Sequence, residues 1–157
     1  AGLAAVCALA QRALPERAPF QQLQVQTETL LDLLPLTPAW PLAYLRWELA
    51  LLEALGFGLD LRSCAVNGTT EDLVYVSPRT GRAVSAAGAG DWSDRLLPLP
   101  GCMLGNGNAT DAEILQGLNV TGHFLDRALG QEVGGLPGAR ARLVAVLTRH
   151  SDGAKTN

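Results

Sequence analysis

Few residues in this chain of 157 could do chemistry. His123 and His150 are its only histidines, and Cys7, Cys64 and Cys102 its only cysteines. Histidine is the side chain best poised for acid–base work near neutral pH, and a nucleophilic thiol needs surroundings that lower its pKa. His123 follows Gly122 and precedes Phe124 in a helical pattern, where it is either a packed or surface histidine or a base. Cys64 and Cys102 are either nucleophiles or small apolar core residues. Asp91-Trp92-Ser93-Asp94 sets two carboxylates near a hydroxyl, an arrangement that also suits a capped turn. No nucleophile, base and orienting group converge in the pattern, so the expectation is a protein that is not an enzyme.

One spacing is more informative. Cys64-x-x-Asn67-Gly68, then a hairpin, then Ser85-x-x-Gly88 has the rhythm of a Cys-x-x-Cys zinc ribbon that keeps one cysteine of four. A structural zinc site needs four N, S or O donors in tetrahedral array. Asn67 and Ser85 are poor donors and Gly88 offers no side chain, so no metal and no other cofactor is expected. Burial of Leu73, Tyr75, Val76 and Val84 would stabilise such a module in place of the metal, and the alternative is a plain β-hairpin.

The elements that must position these residues are mostly helices. Pro41 to Leu55 is apolar nearly all round, with only Arg46, Glu48 and Glu53 charged, the pattern of a buried central helix. Gly56-Phe57-Gly58 stops it: Gly56 suits a left-handed cap, and Phe57 can fold back on the last turn. Before it, Leu3, Val6, Cys7, Ala10 and Leu14 recur at helical spacing, and a second helix runs from Phe20 to Leu34. Pro15 to Pro19 and Leu34 to Pro38 are connectors. After it, Leu73-Val74-Tyr75-Val76 and Arg82-Ala83-Val84-Ser85 read as paired strands around Ser77-Pro78-Arg79-Thr80-Gly81. Ala86 to Asp91 reads as small and flexible, and Arg95 to Leu104 as irregular. Gly105 to Asn108 is a loop. Thr110 with Glu113 gives a capping box for a helix that continues through Leu129. Gly134 to Gly138 breaks it. Ala139 to Thr148 is the last helix, with Leu143, Val144 and Leu147 inward and Arg140, Arg142 and Arg149 outward. The fold class is therefore mostly α: a helical bundle with an inserted small β-hairpin module, degenerate and zinc-ribbon-like. The segments are 1–61 and 106–150 for the helical core, 62–105 for the insertion, and a flexible tail at 151–157.

Composition narrows the function classes. Hydrophobic residues make up 48%, as in a globular domain. The net charge of −3, from 12 basic and 15 acidic residues, is not the footprint of a strong nucleic-acid binder. From Val120 onward five basic residues face three acidic ones, so phosphate contact is electrostatically natural only there. Three cysteines make no disulfide framework and point to a reducing compartment. No apolar run is long enough for a membrane span.

Tyr44 through Leu61, then Cys64-Ala-Val-Asn67-Gly68, resembles the RecO recombination-mediator family in its alphaproteobacterial form. The likeness continues through Leu73 to Pro78 and Gly81 to Ser85, and resumes at Thr121 to Leu125 and Leu136 to Arg140. RecO proteins have an N-terminal OB-fold, a helical domain and a zinc-ribbon-like insertion, and this chain is similar to the last two. Members with an intact ribbon carry cysteines at the positions of Cys64, Asn67, Ser85 and Gly88. The resemblance implies DNA repair by homologous recombination. The implied partners are single- and double-stranded DNA (weak for this chain alone), the acidic, Phe-ending tail of the single-strand-binding protein, and RecR, with which RecA is loaded. It also implies a cytoplasmic, nucleoid-associated bacterial protein with no membrane partner. A Phe-ending acidic tail needs an apolar pocket with a basic rim. The candidates are Tyr44, Arg46 and Trp47 on the central helix, with Arg127, Arg140 and Arg142 near the closing helices. An alternative is a helical interaction module that binds protein and not DNA. Tyr44 and Trp47 also suit the core, and Arg46 could be a buried partner of a carboxylate.

Overall fold

The computed structural model describes residues 1–13, 21–33, 39–105, 107–130 and 136–154. The expected connectors Pro15 to Pro19 and Leu34 to Pro38, and the Gly134-Gly135 step of the expected break, lie outside these residues.

Helix α1 (Gly2–Ala13) buries Ala5, Val6 and Leu9, one face at helical spacing. Helix α2 (Gln21–Leu33) follows. Helix α3 (Trp40–Ala54) is central: Tyr44, Leu45, Trp47, Glu48, Leu51 and Leu52 are all buried. Pro41 stands at its first turn, where the missing N–H costs nothing. Gly56 ends it at φ 84°. The Phe57 N–H returns to the Leu52 carbonyl at 2.9 Å, and the Gly56 N–H to Glu53 at 3.1 Å. That is the Schellman pattern, which only a residue free of Cβ strain adopts cheaply. Phe57 is 44% exposed.

Strands β1 (Leu73–Val76) and β2 (Ala83–Ser85) pair antiparallel, as the sequence pattern expects. The sequence reading of the next residues needs correction. Ala86 to Asp91 is not a flexible stretch: α4 (Ala86–Ala89) and a 3-10 helix (Gly90–Arg95) occupy it. Within the supposed irregular segment, β3 (Leu97–Pro98) pairs with the other edge of β1, giving the sheet order β2-β1-β3. Its edge place tolerates Pro98, which has no N–H to donate. A second short 3-10 helix covers Gly101–Leu104.

Helix α5 (Asp111–Leu129) begins with the expected capping box. Thr110 Oγ1 accepts from the Glu113 N–H at 3.2 Å, and Glu113 Oε2 accepts from the Thr110 N–H at 2.8 Å. Helix α6 (Gly138–Ala154) runs further than the sequence pattern suggests. Ser151, expected to open a flexible tail, lies inside it and is buried. α3 packs on α2 and α5, and α6 on α1 and α5, so one core joins the first and last segments of the chain. Among the described residues, no helix is long and apolar enough to cross a membrane.

Candidate functional site

The middle of the helical core is polar. Glu48 is wholly buried on α3. Its carboxylate accepts from Arg140 of α6, Nε to Oε1 at 2.7 Å and Nη2 to Oε2 at 3.0 Å. Tyr44, one turn earlier, donates its hydroxyl to Oε1 at 2.7 Å, and Thr121 of α5 donates to Oε2. Arg140 Nη2 also reaches the Leu118 carbonyl at 2.7 Å. Burial, then the negative Glu48, pushes the Tyr44 phenol far above its usual range. Burial opposes the charge on Arg140, and its hydrogen bonds to Glu48 together with that negative charge more than restore it. Every member is paired, which is the condition for a buried ionic cluster to be tolerated.

This corrects two of the partner or DNA candidates. Arg140 does not point outward; it is 6% exposed and committed to Glu48. Tyr44 is fully buried in the same cluster. The buried ion pair weighed as an alternative for Arg46 belongs instead to Glu48 and Arg140. A signal was present in the sequence: Glu48 lies one turn from Tyr44 on the face of Leu45 and Leu52, and a lone carboxylate there demands a cation.

Arg46 and Trp47 stand elsewhere. Trp47 is buried, and its indole N–H donates to Thr27 Oγ1 of α2 at 2.8 Å. The Thr27 hydroxyl in turn donates to the Leu23 carbonyl at 2.7 Å, which fixes the ring. Beside it an open groove of about 530 Å³ runs between α2 and α3, lined by Val25, Thr29, Leu30, Leu42, Arg46 and Trp47. Val25 is 62% exposed at its lip. Arg46 is exposed, and no carboxylate among the described residues pairs with it. It borders a second depression as well, toward Leu61 and Arg62. Arg62 is ion-paired with Asp60, which holds that carboxyl below the usual range.

Arg127 is exposed but engaged. Its Nη1 donates to the carbonyls of Pro78 and Arg79, each at 3.0 Å, and His123 Nε2 donates to Pro78 at 3.0 Å. These bonds dock the β1–β2 loop on α5. Arg142 is exposed on α6, away from Arg140 on the helix circumference. The structure thus brings Arg46 and Trp47 to one groove, puts Tyr44 and Arg140 in the core, and leaves Arg127 and Arg142 separate from both.

In the β module the four ribbon positions do converge. Ser85 bonds to Cys64, Asn67 and Gly88 at 3.0–3.4 Å. A zinc ion does not fit the donors present. Asn67 turns its Nδ2, which cannot ligate, toward the cluster. A Cβ built on Gly88 would lie 2.8 Å from Cys64 Sγ and 3.0 Å from Ser85 Oγ, so the fourth corner is closed. Among the described residues, no three His, Cys, Asp or Glu side chains could share a metal ion. Of the other groups weighed for catalysis, Cys102 has its thiol pushed up by burial, then by Glu113. His150 hydrogen-bonds the Val146 carbonyl at 2.8 Å within its own helix. Asp91 and Asp94 lie in the 3-10 helix after α4, where Arg95 stacks 4.6 Å from the Trp92 ring.

The family model for the C-terminal part of recombination protein O matches residues 1–137. The chain belongs to the RecO family. Relatives named DNA repair protein RecO agree with this. That of Ruegeria sp. (strain TM1040) is 58% identical over 151 residues, covering 95% of this chain and 63% of its own. That of Cereibacter sphaeroides (strain ATCC 17025 / ATH 2.4.3) is 56% identical over 149 residues, with 95% and 62% covered. That of Paracoccus denitrificans (strain Pd 1222) is 55% identical over 157 residues, with 98% and 64% covered. The chain spans a little under two thirds of the length of these curated relatives. No solved structure gives a significant match.

Proposed function

We propose that the chain serves DNA repair by homologous recombination as the partner-binding part of a RecO mediator. In this reading it captures the acidic, Phe-ending tail of the single-strand-binding protein and works with RecR in loading RecA. It acts by binding and has no catalytic turnover. DNA contact by this chain alone is weak.

The α2–α3 groove carries the reading. Leu30, Leu42 and Trp47 give an apolar wall for an aromatic side chain, and Val25 extends it at the lip. Arg46 sits at the edge with no ion pair among the described residues, and a guanidinium can take a terminal carboxylate in bidentate fashion. The Thr27–Trp47 bond holds the ring in place before any ligand arrives, which reduces the ordering cost of binding. Against strong DNA binding stand the net charge of −3 and the internal engagement of Arg127 and Arg140. The second reading, a protein-only module, is favoured by these same charges and differs in one observable, DNA affinity.

Fluorescence anisotropy of the 157-residue chain tests both. A labelled acidic peptide ending in Phe and labelled single-stranded DNA are titrated in parallel at two salt concentrations. Peptide binding that Arg46→Glu weakens tenfold or more supports the groove. Peptide binding unchanged in Arg46→Glu moves the site elsewhere. Tight, salt-sensitive DNA binding without peptide binding overturns the reading.

A further inference from the structure

The hydrogen bonds around Cys64 fix where the protons lie. Asn67 Oδ1 accepts from the Thr69 N–H at 3.1 Å, so its Nδ2 is the atom facing Ser85, and it donates to Ser85 Oγ at 3.2 Å. The Gly88 N–H donates to the same oxygen at 3.0 Å. Both acceptor positions of that hydroxyl are then filled, so its own hydrogen must go outward. It points to Cys64 Sγ at 3.4 Å. The sulfur also accepts from the Ser85 N–H at 3.2 Å and the Val66 N–H at 3.4 Å. Among the described residues, every hydrogen-bond partner of this buried sulfur is a donor, and none of them can receive a thiol proton.

We propose that the Cys64 thiolate is the hub of the β module, standing where the ribbon pattern would place a metal ion. The charges are inverted. A ribbon gathers anionic sulfurs around a cation; here hydrogen-bond donors gather around one anionic sulfur. Gly88 belongs to this arrangement because any side chain there would strike the sulfur. Burial raises the Cys64 pKa, but the hydrogen bonds from the Ser85 hydroxyl and the Ser85, Asn67 and Val66 N–H groups outweigh it and bring the pKa down to about 6. The charged groups on the surrounding loop and strands are Arg62, Glu71, Asp72 and Arg82, all exposed, and α4 carries none. Arg62 is already paired with Asp60. The donors and not a counter-ion therefore hold the charge.

The folded pKa lies below the usual thiol value of ~8.5. A group depressed in this way stabilises the fold fully above its unfolded pKa and loses that contribution as pH falls through about 6.

The test is a pH titration of the intact chain labelled with ¹³C at cysteine Cβ, whose shift reports thiolate formation. Variants Cys7→Ser and Cys102→Ala assign the signals and leave Cys64 untouched. One cysteine titrating near pH 6, with that midpoint raised by a unit or more in Ser85→Ala, is the expected result. All three titrating at or above the ordinary thiol range overturns the proposal, as does a Cys64 midpoint that Ser85→Ala leaves unmoved. Elemental analysis and urea unfolding with and without a chelator give the second arm. An unchanged unfolding midpoint is expected; one zinc per chain, with a chelator-induced loss of stability, overturns the hub.

Discussion

In the helical core the buried anion is Glu48, and its partners come from far along the chain: Arg140, 92 residues away, and Thr121, 73 residues away. In the β module the buried sulfur of Cys64 finds its partners within 21 residues, mostly as backbone N–H groups. The first centre exists only when α3, α5 and α6 have come together. The second can form as soon as one turn and one hairpin are in place. The first centre thus rests on contacts across most of the chain, while the second is closed by residues 64–88, although the module shares the hydrophobic core with the helices.

The largest break should come from Glu48→Ala. It leaves Arg140 buried without its carboxylate, at a cost of about 3–5 kcal/mol, read as a lowered urea midpoint. If the separation of the two centres holds, the Cys64 titration in the surviving folded fraction keeps its parental midpoint; a shifted midpoint would show them coupled. Gly88→Ala is the counterpart in the module, since its Cβ must displace Cys64 Sγ. The expected cost is about 1–3 kcal/mol, with faster amide exchange in β1 and β2 and normal protection in α3. Loss of protection in α3 would mean that the module is not local.

Thr110→Ala removes one arm of the capping box of α5, at about 1 kcal/mol. Its effect should appear at the first turn of α5 and reach neither buried centre, which amide exchange checks. Arg46→Glu sharpens the comparison from outside both. The residue is exposed and without an ion pair among the described residues, so the unfolding midpoint should move by no more than ~0.5 kcal/mol. Peptide affinity should nonetheless fall. A large stability loss would show that Arg46 is structural.

The two misread charges, Arg140 and Glu48, share one cause. Arg140, Leu143, Leu147 and Ser151 lie at successive helical steps along α6, and all four are buried. The charge of Arg140 suggested an outward side chain, although its spacing placed it with the leucines. Glu48 in the same way shares a helical face with Tyr44, Leu45 and Leu52. β3 was invisible because two residues carry no periodicity, and α4 because Ala-Ala-Gly-Ala has no amphipathic face. Arg127 was legible as a cation, but not as the residue that clamps the Pro78–Arg79 loop.

The sequence by itself determined what is local: the Pro41 start and Gly56 stop of α3, the Thr110–Glu113 box, the β1–β2 hairpin and the loss of three of four ribbon cysteines. Each follows from the chemistry of a few adjacent residues. Only the tertiary structure decided which charges are buried and paired, which arginine borders a groove with no ion pair among the described residues, and which way the protons run around Cys64. Those outcomes depend on groups dozens of residues apart meeting at hydrogen-bond distance, and no local spacing encodes that.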